Sequence, residues 1–93
     1  MSSSVTFVTA GKIRVREETP DIFFLYHDER GYETNIVGVE IVKRCATGVT
    51  LTDLCMHLTT IFDAPITEIE KDCKNVLNEF VACGLLIANE ASS

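Results

Sequence analysis

Nowhere does the 93-residue chain approach the roughly 18 consecutive apolar residues of a membrane-spanning helix. Its first residues, Met1-Ser2-Ser3-Ser4-Val5-Thr6-Phe7-Val8, lack the positively charged start and apolar run of a signal peptide, so a cytoplasmic location is expected. The four cysteines, Cys45, Cys55, Cys73 and Cys83, form no Cys-x-x-Cys pair, which argues against a zinc knuckle or a thioredoxin-like couple. In a reducing compartment they are expected as free thiols that pack as small apolar residues. Nothing near Cys55 or Cys73 in the sequence would depress a thiol pKa. The chain also lacks a Gly-rich phosphate loop, a His-x-x-x-His pair and a nucleophile elbow. The acid pairs Glu17/Glu18 and Asp28/Glu29 fall in polar turns, where carboxylates are ordinarily just solvated. No catalytic residue, metal site or cofactor is therefore expected. Basic charge is scarce as well: 14 acidic residues against 8 basic ones leave a formal charge of −6. A nucleic-acid binder must neutralise phosphates, so this balance counts against one.

What is present fits one ordinary globular domain, with 46% hydrophobic and 24% charged residues. Lys12-Ile13-Arg14-Val15-Arg16 alternates with period two, which gives a half-buried strand whose basic face is solvated rather than an anion site. Glu17 to Asp21 is a polar break containing Pro20. Ile22-Phe23-Phe24-Leu25-Tyr26-His27 reads as a central strand. His27 to Gly31 is a turn, with Gly31 free to take positive φ, and Tyr32-Glu33-Thr34-Asn35 returns to complete a hairpin. His27 is expected at the surface, and His57 lies on a different element.

Helices follow. Asn35 caps a first helix that runs through Ile36, Val37, Val39, Ile41 and Val42 to Cys45, and Thr47-Gly48 closes it. Thr50-Leu51-Thr52-Asp53 resembles a capping box opening a second helix, whose apolar residues are Leu51, Leu54, Cys55, Leu58, Ile61 and Phe62 and which stops near Asp63-Ala64-Pro65. The third helix is expected to be capped by Thr67, with Ile69, Cys73, Val76, Leu77, Phe80 and Val81 on its apolar side and Gly84 as its C-cap. Residues 1–11 form a partly disordered N-terminal segment, 12–87 the domain, and 88–93 a disordered tail; mobility is expected at residues 1–5 and 89–93. Three strands followed by three helices make an α+β domain of winged-helix type, with a three-stranded antiparallel sheet.

Four blocks of this sequence resemble the PqqD-like family. They are Asn35-Ile36-Val37-Gly38 with Ile41 after it, Gly48-Val49-Thr50-Leu51, Ile69-x-x-Asp72 with Leu77, and Phe80-Val81-x-x-Gly84-Leu85. Their spacing also agrees, and the resemblance covers roughly residues 12–87. One departure is Thr34, where the family often has Leu before the Asn. The resemblance implies a non-catalytic domain that binds the leader segment of a ribosomally made precursor peptide. It would present that leader to a modifying enzyme, either a radical S-adenosylmethionine enzyme or a leader peptidase of lasso-peptide type. The leader would add as a strand along Tyr32-Glu33-Thr34-Asn35-Ile36 and lie beside the third helix.

The chemistry of such a site follows from general rules. An edge strand leaves N–H and C=O groups unpaired, and an extended peptide can pair with them. The floor of the pocket would come from Ile69, Cys73, Val76 and Phe80, with Asp72 at its flank to meet a Lys or Arg of the leader. A helix stripe of this kind also reads as plain core; Leu77 is assigned to the core, while Ile69, Val76 and Phe80 fit either role. Asp72 fits equally a surface acid without a role. Two other functions compete. A winged-helix DNA-binding domain would suit the fold, but residues 50–64 carry no Lys or Arg, and the third helix sets Glu68, Glu70, Asp72 and Glu79 against Lys71 and Lys74. An assembly subunit of an enzyme complex would share the missing catalytic residues.

Overall fold

A computed structural model describes residues 4–91. In chain order the elements are β1 (Ser4–Thr9), β2 (Arg14–Thr19), β3 (Ile22–His27), β4 (Arg30–Thr34), α1 (Ile36–Cys45), β5 (Val49–Thr50), α2 (Leu51–Ile61), α3 (Ile66–Ala82) and β6 (Leu86–Ala91). The antiparallel strands form two sheets, ordered β2-β3-β4 and β5-β1-β6. The fold is thus α+β with three helices, and the expected three-stranded sheet is joined by a second one.

β3 occupies the centre of its sheet because its side chains alternate. Phe23 and Leu25 are buried, and the other four residues are partly exposed. On the outer face the rings of Phe24 and Tyr26 stack with centroids 6.3 Å apart, and the Arg14 guanidinium lies 5.9 Å from the Tyr26 centroid. The basic face of β2 is therefore not merely solvated: Arg14 covers an aromatic surface. β2 starts later and runs further than the alternation suggests. It continues to Thr19 with a register shift between Glu17 and Thr19. The turn that follows is held by the Thr19 hydroxyl oxygen, which accepts from the N–H groups of Asp21 and Ile22 at 3.2 and 3.1 Å. In the β3–β4 hairpin, positive φ falls at Asp28 (56°) and not at Gly31. Gly31 is needed for space instead, since a Cβ there would sit 2.9 Å from the Tyr26 ring.

The helix ends follow local chemistry. The Asn35 side chain accepts from the Gly38 N–H at 3.1 Å, and Thr50 accepts from the Asp53 N–H at 3.2 Å. α3 differs from expectation, because Thr67 lies inside its first turn. Pro65, with φ already at −61°, occupies the cap position, and its carbonyl accepts from the N–H groups of Glu68 and Ile69. At the far end Gly84 (φ 87°) donates to the Val81 carbonyl and Leu85 donates to Phe80, a Schellman closure that drives Leu85 into the core at 0% exposure.

Disorder is expected near both chain ends, and the described residues there form strands. β1 and β6 pair from Ser4↔Ala91 to Thr9↔Leu86, and β5 joins through Thr6↔Thr50 and Phe7↔Val49. Long-range pairing of this kind satisfies backbone groups that a local reading leaves free. The parts of that expectation that concern residues 1–3 and 92–93 lie outside the described residues. One core holds the structure together, with Leu25, Val39, Ile41, Leu54, Leu58, Leu77 and Leu85 among its most enclosed side chains.

Candidate functional site

β4 is a sheet edge, since β3 pairs with it on one side and, among the described residues, no strand pairs with it on the other. The hairpin fixes which groups that edge offers. Its loop has two residues, Asp28 and Glu29, so His27 and Arg30 close it as a hydrogen-bonded pair. Antiparallel pairing alternates from there. Arg30, Tyr32 and Thr34 turn their backbone groups to β3, and Gly31 and Glu33 turn theirs outward.

The long helix α3 runs beside this edge. Its side toward β4 carries Val76, Glu79, Phe80 and Cys83, a spacing of three and four residues that keeps them on one face. Two openings lie between helix and edge. The first, about 320 Å³, is lined by Asp21, Ile22, Glu33, Thr34, Asn35, Val76, Glu79 and Phe80. The second, about 770 Å³, lies at the hairpin tip and is lined by His27 to Arg30, Tyr32, Cys83 and Gly84. The Tyr32 hydroxyl ties helix to strand between them, donating to the Cys83 carbonyl at 3.2 Å. The first opening is a short groove between the end of β4 and α3, and the second lies apart from it at the hairpin tip.

Most of the expected site residues gather here. Glu33, Thr34, Asn35, Val76 and Phe80 line the first opening and Tyr32 the second. Ile36 is 39% exposed at the start of α1. Three others sit elsewhere. Cys73 has no exposure and belongs to the core. Ile69 and Asp72 line a separate apolar hollow of about 130 Å³ with Val37, Leu58, Phe62 and Ala64. The helix therefore divides its residues between faces, as the 3.6-residue turn requires. Asp21, Ile22, Glu79 and Cys83 were not expected at the site. The wheel position of Glu79, three residues beyond Val76, is the one signal that the sequence held for it.

The approach of α1 to this groove explains the Asn-x-x-Gly block. Asn35 caps α1 through the Gly38 N–H, and a Cβ on Gly38 would collide with the Thr34 hydroxyl and come within 3.2 Å of the Phe80 ring. Only a bare backbone lets strand end, helix start and Phe80 meet.

Three buried thiols are held in their neutral form. Burial pushes Cys45 up to about 11, and burial, with the neighbouring Cys55 thiol and the acids Asp72 and Glu70, pushes Cys73 up to about 12. Cys55 is also raised, chiefly by burial. All four cysteines are unbridged. Among the described residues no group of three or more His, Cys, Asp or Glu side chains is placed to hold a metal ion, and no helix is long and apolar enough to cross a membrane.

In comparison with known families, the family described as "Coenzyme PQQ synthesis protein D (PqqD)" matches residues 23–86, from β3 to the first residue of β6. No curated protein and no solved structure matches the chain.

Proposed function

This chain belongs to the PqqD family, whose members are non-catalytic recognition elements of peptide-modification pathways, and from that premise we propose that it binds a precursor-peptide leader by strand addition to β4. The observation that carries the reading is the free β4 edge with α3 alongside it. Gly31 and Glu33 turn their backbone groups outward there, and Val76 offers an apolar wall with the largely buried Phe80 behind it. An extended peptide gains affinity from the edge hydrogen bonds and specificity from side chains that enter the groove at every second position. The domain itself transforms nothing on this reading. It holds the leader in the cytoplasm while a partner enzyme, of the radical S-adenosylmethionine class, acts on the remainder of the peptide.

A proline at position 33 tests this directly. Glu33 turns its N–H away from β3, so Glu33→Pro removes an outward donor and spares the hairpin ladder. The expected result is a folded protein that binds synthetic leader segments, taken from short reading frames beside its gene, about tenfold more weakly or worse. Amide shifts of isotope-labelled wild-type protein should map to Gly31–Asn35 and to the Val76–Cys83 face of α3. Shifts confined to β2 or to the β5-β1-β6 sheet, with Glu33→Pro binding unchanged, would overturn the reading.

A further inference from the structure

α3 runs antiparallel to β4, so successive stretches of the helix face successive parts of the site. The Cys83 carbonyl meets the Tyr32 hydroxyl, Val76 to Phe80 meet Glu33 to Asn35, and Ile69 and Asp72 share a hollow with Val37 of α1. That hollow, about 130 Å³, therefore follows the first opening along the helix, beyond the end of β4. Its other walls are Leu58, Phe62 and Ala64, which leaves Asp72 as its one polar lining residue. Three helix ends converge there: the start of α1, the end of α2 and the start of α3.

The same ends carry exposed isoleucines. Ile36 precedes Val37, Ile61 precedes Phe62, and Ile66 lies one turn before Ile69, at 39%, 45% and 48% exposure. They are half of the six large apolar side chains left exposed among the described residues. Apolar residues scattered singly over a surface need no explanation, but three grouped on the elements that wall one hollow mark an interaction site.

Spacing identifies what reaches it. Asp72 stands four residues before Val76, about 6 Å along the helix axis. Alternate side chains of an extended peptide point to the same side about 7 Å apart. A strand on β4 that rests one side chain against Val76 thus brings the next on that side, two residues on, to the hollow. An engineered apolar cavity of about 150 Å³ holds benzene, so this hollow suits one side chain of Leu, Met or Phe size. A charged side chain would lose hydration against five apolar walls.

We infer that the hollow is a second side-chain subsite for the peptide bound along β4, filled by a Leu, Met or Phe two residues beyond the side chain that rests on Val76. The inference rests on the strand-addition reading and gives it a spacing, two apolar residues at i and i+2, with the outer one past the Asn35 end of the edge.

A random dodecapeptide phage library panned against the full chain tests it, with the selected peptides mapped by amide shifts on isotope-labelled protein. Peptides that shift β4 should also shift Val37, Ala64 and Asp72, and should share apolar residues two positions apart. Exchanging the outer one for Ala should weaken binding about fivefold. Ala64→Leu fills the hollow from an exposed position, so the fold is retained. It should weaken the parent peptide to a similar extent and leave the Ala-exchanged peptide unaffected. Peptides that shift β4 but not the hollow, or that ignore Ala64→Leu, would overturn this inference and leave strand addition standing. A dimer in sedimentation that Ala64→Leu disperses would assign the hollow to a second copy, with the same consequence. Failure to select any peptide that shifts β4 would remove both.

Discussion

The two sheets are built in opposite ways. The β2-β3-β4 sheet comes from consecutive strands joined by tight turns, and it leaves β4 open beside α3. The β5-β1-β6 sheet draws on three distant stretches, pairs the first described residues with the last, and contributes Phe7, Val49 and Leu86 to the core. The first sheet offers an edge, and the second closes the domain. Stability and peptide binding should therefore respond to different residues.

The largest effect is expected where both sheets depend on the same side chain. Leu77 is 1% exposed on α3, and Leu77→Asp would bury a carboxylate without a partner. A loss of about 5 kcal/mol or more is expected, enough to unfold a domain of this size. Circular dichroism should show the helices lost, and a folded variant would mean that the core is not shared.

Next comes a pH effect through α1, which touches both β1 and β3. Burial raises Cys45 from its ordinary 9.0 to about 11. A folded-state pKa above the unfolded value means that the thiol's contribution is complete below pH 9 and declines as pH rises toward 11. The share of Cys45 in the change is about 2–3 kcal/mol when the thiol is fully ionised. Urea midpoints should be lower at pH 10.5 than at pH 8, and Cys45→Ala should lessen that difference, the rest of which comes from the buried thiols of Cys73 and Cys55.

A smaller loss separates the sheets. Phe7 is half-buried on β1 and packs against the core, so Phe7→Ala should cost about 2 kcal/mol by urea unfolding. Leader affinity measured under native conditions should not change. Loss of binding in a variant that remains folded would show that the closing sheet also shapes the groove. The smallest stability change belongs to Glu33→Pro, at about 1 kcal/mol or less, because the ladder to β3 keeps its donors. Its effect on binding should be the greatest of any folded variant, and the opposite pattern would break the division of labour between the sheets.

The same division explains what the sequence revealed. The hairpin sheet was legible because its signals are local: the apolar run Ile22 to His27, a polar turn, then a short return. The caps at Asn35 and Thr50 and the closure at Gly84 were legible for the same reason, since each is decided within a few residues. The second sheet was not. β1 lies next to a serine-rich start, β5 is two residues long, and β6 follows a helix as a mixed run, Leu86-Ile87-Ala88-Asn89. Nothing in any of them names a partner some forty to eighty residues away. Thr67 was a reasonable cap by residue type, yet Pro65 two residues earlier already held the backbone angle of a helix start. The site divided similarly. Strand residues Glu33 to Asn35 were placed by alternation. On α3, only the position of β4 distinguishes Val76 and Glu79, which face the groove, from Ile69 and Cys73, which do not. Asp21 enters through register, since Phe23 opposes Thr34 and brings the preceding turn to the end of the edge.

The pairing of Ser4 with Ala91 sets the two described ends of the chain on neighbouring strands, about 5 Å apart. A protein built this way behaves as a cassette. Spliced into a surface loop of a larger enzyme, it would add almost no distance to that loop, so the host would bear little closure entropy. The ends also lie in the sheet that does not contain β4, so such a graft would leave the β4 edge free. Joining the ends and reopening the chain in the Asp63–Ala64 loop should likewise preserve the fold.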